Sequence, residues 1–340
     1  MSQTSLPAKE RKNWIDWMKV LGMFFIVWGH SWPESMCPFI YAFNVPVFFL
    51  ISGYLSKRED SFRTFWRKSW YNLLVPYLII CTVKRLGLWI GHVDDGETWW
   101  SILGVLTGFH SVGEIPACTM MWFVATLFFV KLFFQLWGGR TRNLLILSLV
   151  SIALSILYNH SGANIAWSLT NVPLAMPYFL LGHACATTWK NPFDRMCRTI
   201  LGFHKAFCGL GILILFAAIY LLAPFNEPGL EMFKAEYGRS FLLATLLGLA
   251  GSLAVLMGSL LLDKVTGKAL RMLSAGTIVI LGFHRDIANP LEKPLEIFSQ
   301  GSLEWDGGTF FVSILVMLAF IPIIWLVKRF LPFLLGKRSF

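Results

Sequence analysis

The chain has 340 residues, 56% hydrophobic and 14% charged, and 29 Lys and Arg against 19 Asp and Glu give a net charge of +10. A soluble globular chain carries about 25% charged residues; here the apolar excess forms long blocks separated by short polar connectors, which excludes a soluble domain and means repeated bilayer crossings. The basic surplus sits in alternate connectors with no basic tract, finger spacing or recognition-helix pattern, which excludes nucleic acid as a partner, and continuous apolar runs without alternation exclude a β-barrel.

In chain order, residues 1–13 form a basic segment and the first apolar run follows at once. That run ends in Trp28-Gly29-His30-Ser31-Trp32-Pro33, not in a small-x-small cleavage site, so it is expected to be a retained helix rather than a signal peptide. The hydropathy pattern predicts an all-α polytopic membrane protein of about ten transmembrane helices, at about 14–31, 39–56, 70–91, 120–137, 143–158, 171–188, 206–223, 239–262, 272–289 and 309–327. Residues 14–330 read as one membrane domain, between a cytoplasmic N-terminal segment (1–13) and a cytoplasmic tail (331–340). Residues 99–109 read as interfacial. Lys and Arg fall in the connectors after even-numbered spans, so both termini are expected in the cytoplasm. Tryptophans cluster at span ends, as an aromatic belt does. The six cysteines show no CxxC or metal spacing; Cys37 and Cys118 both fall in outer connectors, where a disulfide is one option and small apolar packing the other. The spacing suggests no metal site.

The first helix carries Asp16, Lys19 and His30, and ionisable groups in lipid are expensive. Lys19 and His30 are eleven residues apart, close to three turns, so they share one face about 16 Å apart along the axis, with Met23 and Ile26 between them. Asp16, one turn below Lys19, is placed to pair with it. Snorkelling to the headgroups is one reading of these charges, and a catalytic histidine base with a companion cation is the other. In the second span, Pro46 is expected to bend or open the helix, and Ser52-Gly53 to admit a close backbone. Beyond it, Arg63 and Arg67 lie four apart on a short amphipathic helix with Lys68 beside them, which suits either anionic lipid heads or the phosphates of a nucleotide donor. His284 ends the ninth span near the depth of His30 and is either an acceptor contact or an idle interfacial residue. His183 reads as a packing residue, His110 and His160 are weaker candidates, and Glu34 is an outer carboxylate that could meet a polyhydroxyl acceptor.

Several blocks together resemble the membrane-bound acyltransferase-3 family. "NWIDWMKVLGMFFIVWGH" is similar to its opening helix, with a basic residue and a histidine separated by ten positions, here Lys19 and His30. "FNVPVFFLISGYL", "FRTFWRKSWYNLLVPY", "MWFVATLFFVKLFF", "MPYFLLGH" and "LSAGTIVILGFH" resemble later helices, so the likeness runs from about residue 11 to 330. The resemblance implies transfer of an acyl group, usually acetyl from acetyl-CoA arriving from the cytosol, to a hydroxyl of a sugar or cell-surface glycan precursor. It implies a bacterial plasma membrane as the location. His30 would be the base, Lys19 its basic companion, and Arg63, Arg67 and Lys68 the holders of the CoA phosphates. Where the family often carries Phe-His-Met-Pro, this chain has Phe43-Asn44-Val45-Pro46, and Asn44 hydrogen-bonds but takes no proton at neutral pH, so it is expected to shape the acceptor pocket. A membrane transporter or glycan-export component is the alternative from another class, since charged and proline-broken spans suit that task too.

Overall fold

The computed structural model describes residues 12–90, 104, 119–159, 161, 165–298 and 301–336, and these are helical throughout apart from turns and one isolated bridge. The helices are α1 (Asn13–Gly29), α2 (Cys37–Tyr41), α3 (Asn44–Leu55), α4 (Phe62–Ser69), α5 (Val75–Ile90), α6 (Trp122–Trp137), α7 (Thr141–Tyr158), α8 (Val172–Ala186), α9 (Lys190–Gly202), α10 (Lys205–Leu222), α11 (Phe241–Leu261), α12 (Lys268–Ala275), α13 (Thr277–Phe298) and α14 (Ser302–Phe330). Among the described residues, seven helical stretches are long and apolar enough to cross a membrane: 37–55, 62–88, 119–137, 141–158, 205–226, 241–261 and 304–330. Three further expected spans coincide with α1, α8 and α13. The first two have only 17 and 15 residues, about 26 and 22 Å at 1.5 Å per residue against a hydrocarbon core of about 30 Å. The third carries Arg285, Asp286, Glu292 and Lys293. The suggested interfacial patch at 99–109, apart from Gly104, and Cys118, with its pairing, lie outside the described residues, as do His110 and His160.

The tightest helix pair is α3 against α8, and glycine makes it possible. A Cβ on Gly53 would sit 1.9 Å from the Phe179 carbonyl oxygen, and one on Gly182 would sit 1.9 Å from the Leu50 carbonyl oxygen. In lipid, such close backbone approach replaces the hydrophobic drive that holds soluble helices together. Around this pair runs a core containing Val27, Phe49, Tyr77, Ile80, Phe179, Ile280, Phe320 and Ile324, all fully buried. α1 runs beside it, in contact with α3, α11, α12, α13 and α14.

Two irregularities shape the interior. The expected opening at Pro46 lies upstream of it: the chain breaks at Ala42–Phe43, and Pro46 sits in the first turn of α3. A first-turn residue has no intrahelical N–H bond to lose, so the break belongs where the proline ring would meet the carbonyl four residues earlier. Between α4 and α5, residues Trp70–Leu74 form a π-helical turn in an otherwise continuous helix. Such wide turns collect at functional sites, and Asn72 of this one borders both cavities described below.

Candidate active site

The C-terminal end of α1 is held by three side chains. The last carbonyls of a helix have no partner within it. Tyr41 Oη donates to Gly29 O at 3.2 Å, Ser31 Oγ donates to Val27 O at 3.4 Å, and Arg285 Nη1 donates to His30 O at 2.5 Å. The guanidinium also meets both carboxylate oxygens of buried Glu292, at 3.1 and 3.0 Å. A cation at this position suits the negative end of the helix dipole. Lys84 braces the neighbouring turn of α13, donating to Gly282 O at 2.9 Å and pairing with Asp286 at 3.0 Å.

These clamps bring His30 against His284, with His30 Nδ1 3.0 Å from His284 Nε2. The ring centroids are 4.9 Å apart and the ring planes 27° apart, and the two nitrogens are within hydrogen-bond distance. The protons can be assigned from the partners. His284 Nδ1 lies 3.0 Å from Ile280 O and 3.0 Å from Leu281 O, and a carbonyl only accepts. Nδ1 therefore carries the hydrogen, and in the neutral ring Nε2 is the acceptor. The shared proton then sits on His30 Nδ1, which leaves the lone pair of His30 on Nε2. A histidine held in one tautomer by a second group is the arrangement that general-base sites use.

Below this pair, along α1, lies a cavity of about 360 Å³ bordered by Asp16, Lys19, Met23 and Ile26 from α1. These residues follow the stripe read from the sequence, and His30 stands one turn beyond Ile26. The cavity's other walls include Phe48, Ser52 and Leu55 of α3, Asn72, Lys131, Ser274 and Leu281, the last three residues short of His284. A second cavity of about 170 Å³ shares Leu55, Asn72, Leu73 and Lys131 with the first and adds Lys57, Glu59 and Lys68. The two form one passage at the Lys19 end of α1. Its rim is fixed by reciprocal bonds between the loop after α3 and α6: Glu59 N donates to Gln135 Oε1 and Gln135 Nε2 donates to Glu59 O, each at 3.0 Å.

The structure thus unites His30 with His284 and puts Lys19 on the passage. Asn44 is buried beside the last turn of α1, where its amide nitrogen is 3.4 Å from the position of a Cβ on Gly29 and its side-chain oxygen accepts from Val45 N. Lys68 borders the passage but is paired with Glu59 at 2.6 Å. Arg63 and Arg67 are exposed on α4 and belong to neither cavity wall. Glu34 is exposed on the loop after α1. Asp16, expected to face Lys19, accepts from Ser274 Oγ at 2.5 Å, which joins the start of α1 to α12. His183 packs on the Phe134 ring and bonds Ser56 O at 3.1 Å, as a structural histidine does.

Lys131 escaped the sequence reading. It is the one charge in the run from Trp122 to Trp137, and a lone ionisable residue in an apolar span is itself a functional signal. Arg285 was visible only as the neighbour of His284; its grip on α1 depends on the fold.

A family model described as an acyltransferase domain matches residues 12–329. No curated protein and no solved structure matches the chain.

Proposed function

We propose that this chain, which belongs to the acyltransferase-3 family and is a multi-pass membrane acyltransferase, moves an acyl group, acetyl in the simplest case, from acyl-CoA to a hydroxyl of a sugar or glycan precursor. The observation that carries the reading is the 3.0 Å contact between His30 Nδ1 and His284 Nε2, one turn beyond the cavity, from which the free Nε2 lone pair of His30 is assigned. Transfer needs a base for the acceptor hydroxyl, a bound thioester and donors for the oxyanion that develops. His30 Nε2 takes the hydroxyl proton as that oxygen attacks the thioester carbonyl, the C–S bond breaks, and CoA leaves as thiolate or, after receiving the proton, as thiol. His284 keeps Nδ1–H of His30 bonded and stabilises the imidazolium as it forms.

The donor enters from the Lys19 end; the positive-inside pattern supports a cytosolic face there, and the family resemblance supports a bacterial inner membrane. Lys19 stands about 16 Å below His30 along α1, a distance that the extended pantetheine arm of CoA spans. Lys57 and Lys131 on the passage take the place that the sequence reading gave to Arg63 and Arg67, and the ammonium groups face phosphate or amide oxygens. Asn44 and Glu34 belong to the acceptor end.

The test is CoA release from acetyl-CoA by purified protein in lipid nanodiscs with a panel of glycans and lipid-linked sugars, wild type beside His30→Gln. Acceptor-dependent release that falls by about 10²–10⁴ in the variant is expected for a lost base. Acceptor-dependent release that the substitution leaves intact removes His30 from the chemistry. Failure of the wild type to bind acetyl-CoA removes the donor.

A further inference from the structure

Two residues after His30 the backbone does something unusual. Trp32 has φ of 51°, in the left-handed region, which bulky side chains rarely occupy and which persists only where the surroundings over-determine it. The surroundings do. Trp305 Nε1 donates to Trp32 O at 3.0 Å, Trp32 N donates to Gly29 O at 3.2 Å, and buried Asp306 accepts from Ser35 N at 3.2 Å and from the Ser35 hydroxyl. The loop is pinned at both ends, yet the side chain it presents is 59% exposed. The fold fixes this backbone and leaves the indole uncovered.

The indole is not isolated. Its ring centroid lies 6.1 Å from that of Tyr41 at an interplanar angle of 36°, and the Tyr41 ring lies 6.4 Å from that of His30. Tyr41 is itself fixed by its hydroxyl on Gly29 O. An aromatic surface therefore leads from the protein's exterior to the imidazole, at the end of α1 opposite the lysine passage. A rigid, flat apolar face with a polar edge complements a pyranose, which carries C–H groups on its face and hydroxyls around its rim.

We propose that Trp32 and Tyr41 form the platform on which the acceptor sugar stacks, with Trp32 as the main contact and Tyr41 guiding one hydroxyl to His30 Nε2. The proposal rests on the reading of His30 as the base that receives that hydroxyl. The competing account is that Trp32 belongs to the interfacial aromatic belt, where tryptophan is common. A belt residue needs no left-handed backbone and no ring neighbour leading to the reactive histidine, so the geometry favours the platform.

Saturation-transfer NMR tests it, with full-length protein in nanodiscs and four probes: the methyl pyranosides of glucose, galactose, N-acetylglucosamine and fucose. At least one is expected to show transfer to its ring C–H protons with wild type, to lose it with Trp32→Ala and to recover part of it with Trp32→Phe. His30→Gln is expected to keep the signal, because it removes the base and leaves the platform. In turnover assays Trp32→Ala is expected to raise the acceptor KM at least tenfold, with the acyl-CoA KM changed less than twofold. A signal equal in wild type and Trp32→Ala, or no signal from any of the four, overturns the platform. Trp32-dependent sugar binding in a protein that transfers no acyl group leaves the platform standing and overturns the catalytic reading instead.

Discussion

The contact between the two imidazoles can be tested by changing the hydrogen-bond acceptor, His284, without touching His30, the proposed base. In His284→Met a residue of similar bulk removes the atom that receives the His30 Nδ1 proton, 3.0 Å away. His284 is fully buried, so water does not readily replace it, and a buried donor left without a partner costs about 1–3 kcal/mol. Part of that cost is relieved if His30 shifts its proton to Nε2, the tautomer that cannot act as a base. Expressed in the rate, 1–3 kcal/mol is about five- to 150-fold. Loss of stabilisation for the forming imidazolium adds to it, up to the ceiling of about 10²–10⁴ for removal of the base altogether. His284→Gln behaves differently, because its amide oxygen reaches near the position of Nε2 and still accepts. The expected order of kcat in acceptor-dependent CoA release is wild type, then Gln within about tenfold, then Met lower by a further one to two decades, with His30→Gln lowest. Thermal unfolding should put the two His284 variants close together, since both fill the site. Equal activity of Gln and Met, whether both full or both absent, would refute the tautomer argument: the first would make His284 a bystander, the second would make its own proton chemistry indispensable.

Three further outcomes follow from particular contacts. Lys131→Met should raise the KM for acyl-CoA about tenfold with a smaller change in kcat, a loss of roughly 1.4 kcal/mol in donor binding, whereas Lys131→Arg should retain most of it; an unchanged donor KM in the Met variant removes Lys131 from the donor path. Gly182→Ala should yield little monodisperse protein by size exclusion, because its Cβ meets the backbone of Leu50 and backbone yields less than the side chains that set the usual overpacking cost of about 1–3 kcal/mol; the matched control is Gly87→Ala, where no described residue lies within 4 Å and helix propensity predicts no loss or a small gain. Ser274→Ala should lower unfolding stability by about 1.5–3 kcal/mol through the lost bond to the Asp16 carboxylate, read as the midpoint shift in a denaturant series.

Much of the interior was legible in the sequence, for a definite reason. α1 is a regular helix, so a spacing of eleven residues between Lys19 and His30 fixes a shared face whatever surrounds it, and the lining of the cavity by Lys19, Met23 and Ile26 follows that geometry. Depth along a hydropathy profile likewise brought His284 level with His30. Azimuth was not legible: a profile says how deep a residue lies and not which neighbour it faces, so the meeting of the two rings and the reach of Arg285 to His30 O had to come from packing. The same limit explains the arginines of α4. Composition put several cations near one end, but only the turn of the helix separates Lys68, on the passage, from Arg63 and Arg67, which face out. Trp32 was hidden differently. Its left-handed φ has no sequence signature, since it is imposed by Trp305, fixed only when α14 packs beside the loop.

The arrangement also accounts for the presence of costly polar groups along α1. On the proposed reading, a donor that arrives from one side of a membrane and an acceptor that arrives from the other must meet without opening a continuous aqueous path. Lys19, Lys131 and Asn72 border the passage, and the turns of α1 above Lys19 present Met23 and Ile26 to it. These apolar side chains would let an uncharged pantetheine arm through at little cost and disfavour ions, because charge loses solvation there. A proposed base at His30 would have to be neutral and singly tautomeric, and a second histidine does this without adding a buried charge, as a carboxylate partner would. Replacing His284 by Glu tests the choice of partner: the carboxylate still accepts from His30 Nδ1, but it also faces the Ile280 and Leu281 carbonyls that now receive a proton from the ring. Repulsion between oxygens and the solvation cost of the charge should lower stability by several kcal/mol, read as the midpoint shift in a denaturant series. A variant that folds as stably as wild type would show that the site accepts a charged partner and would refute the argument for a neutral one.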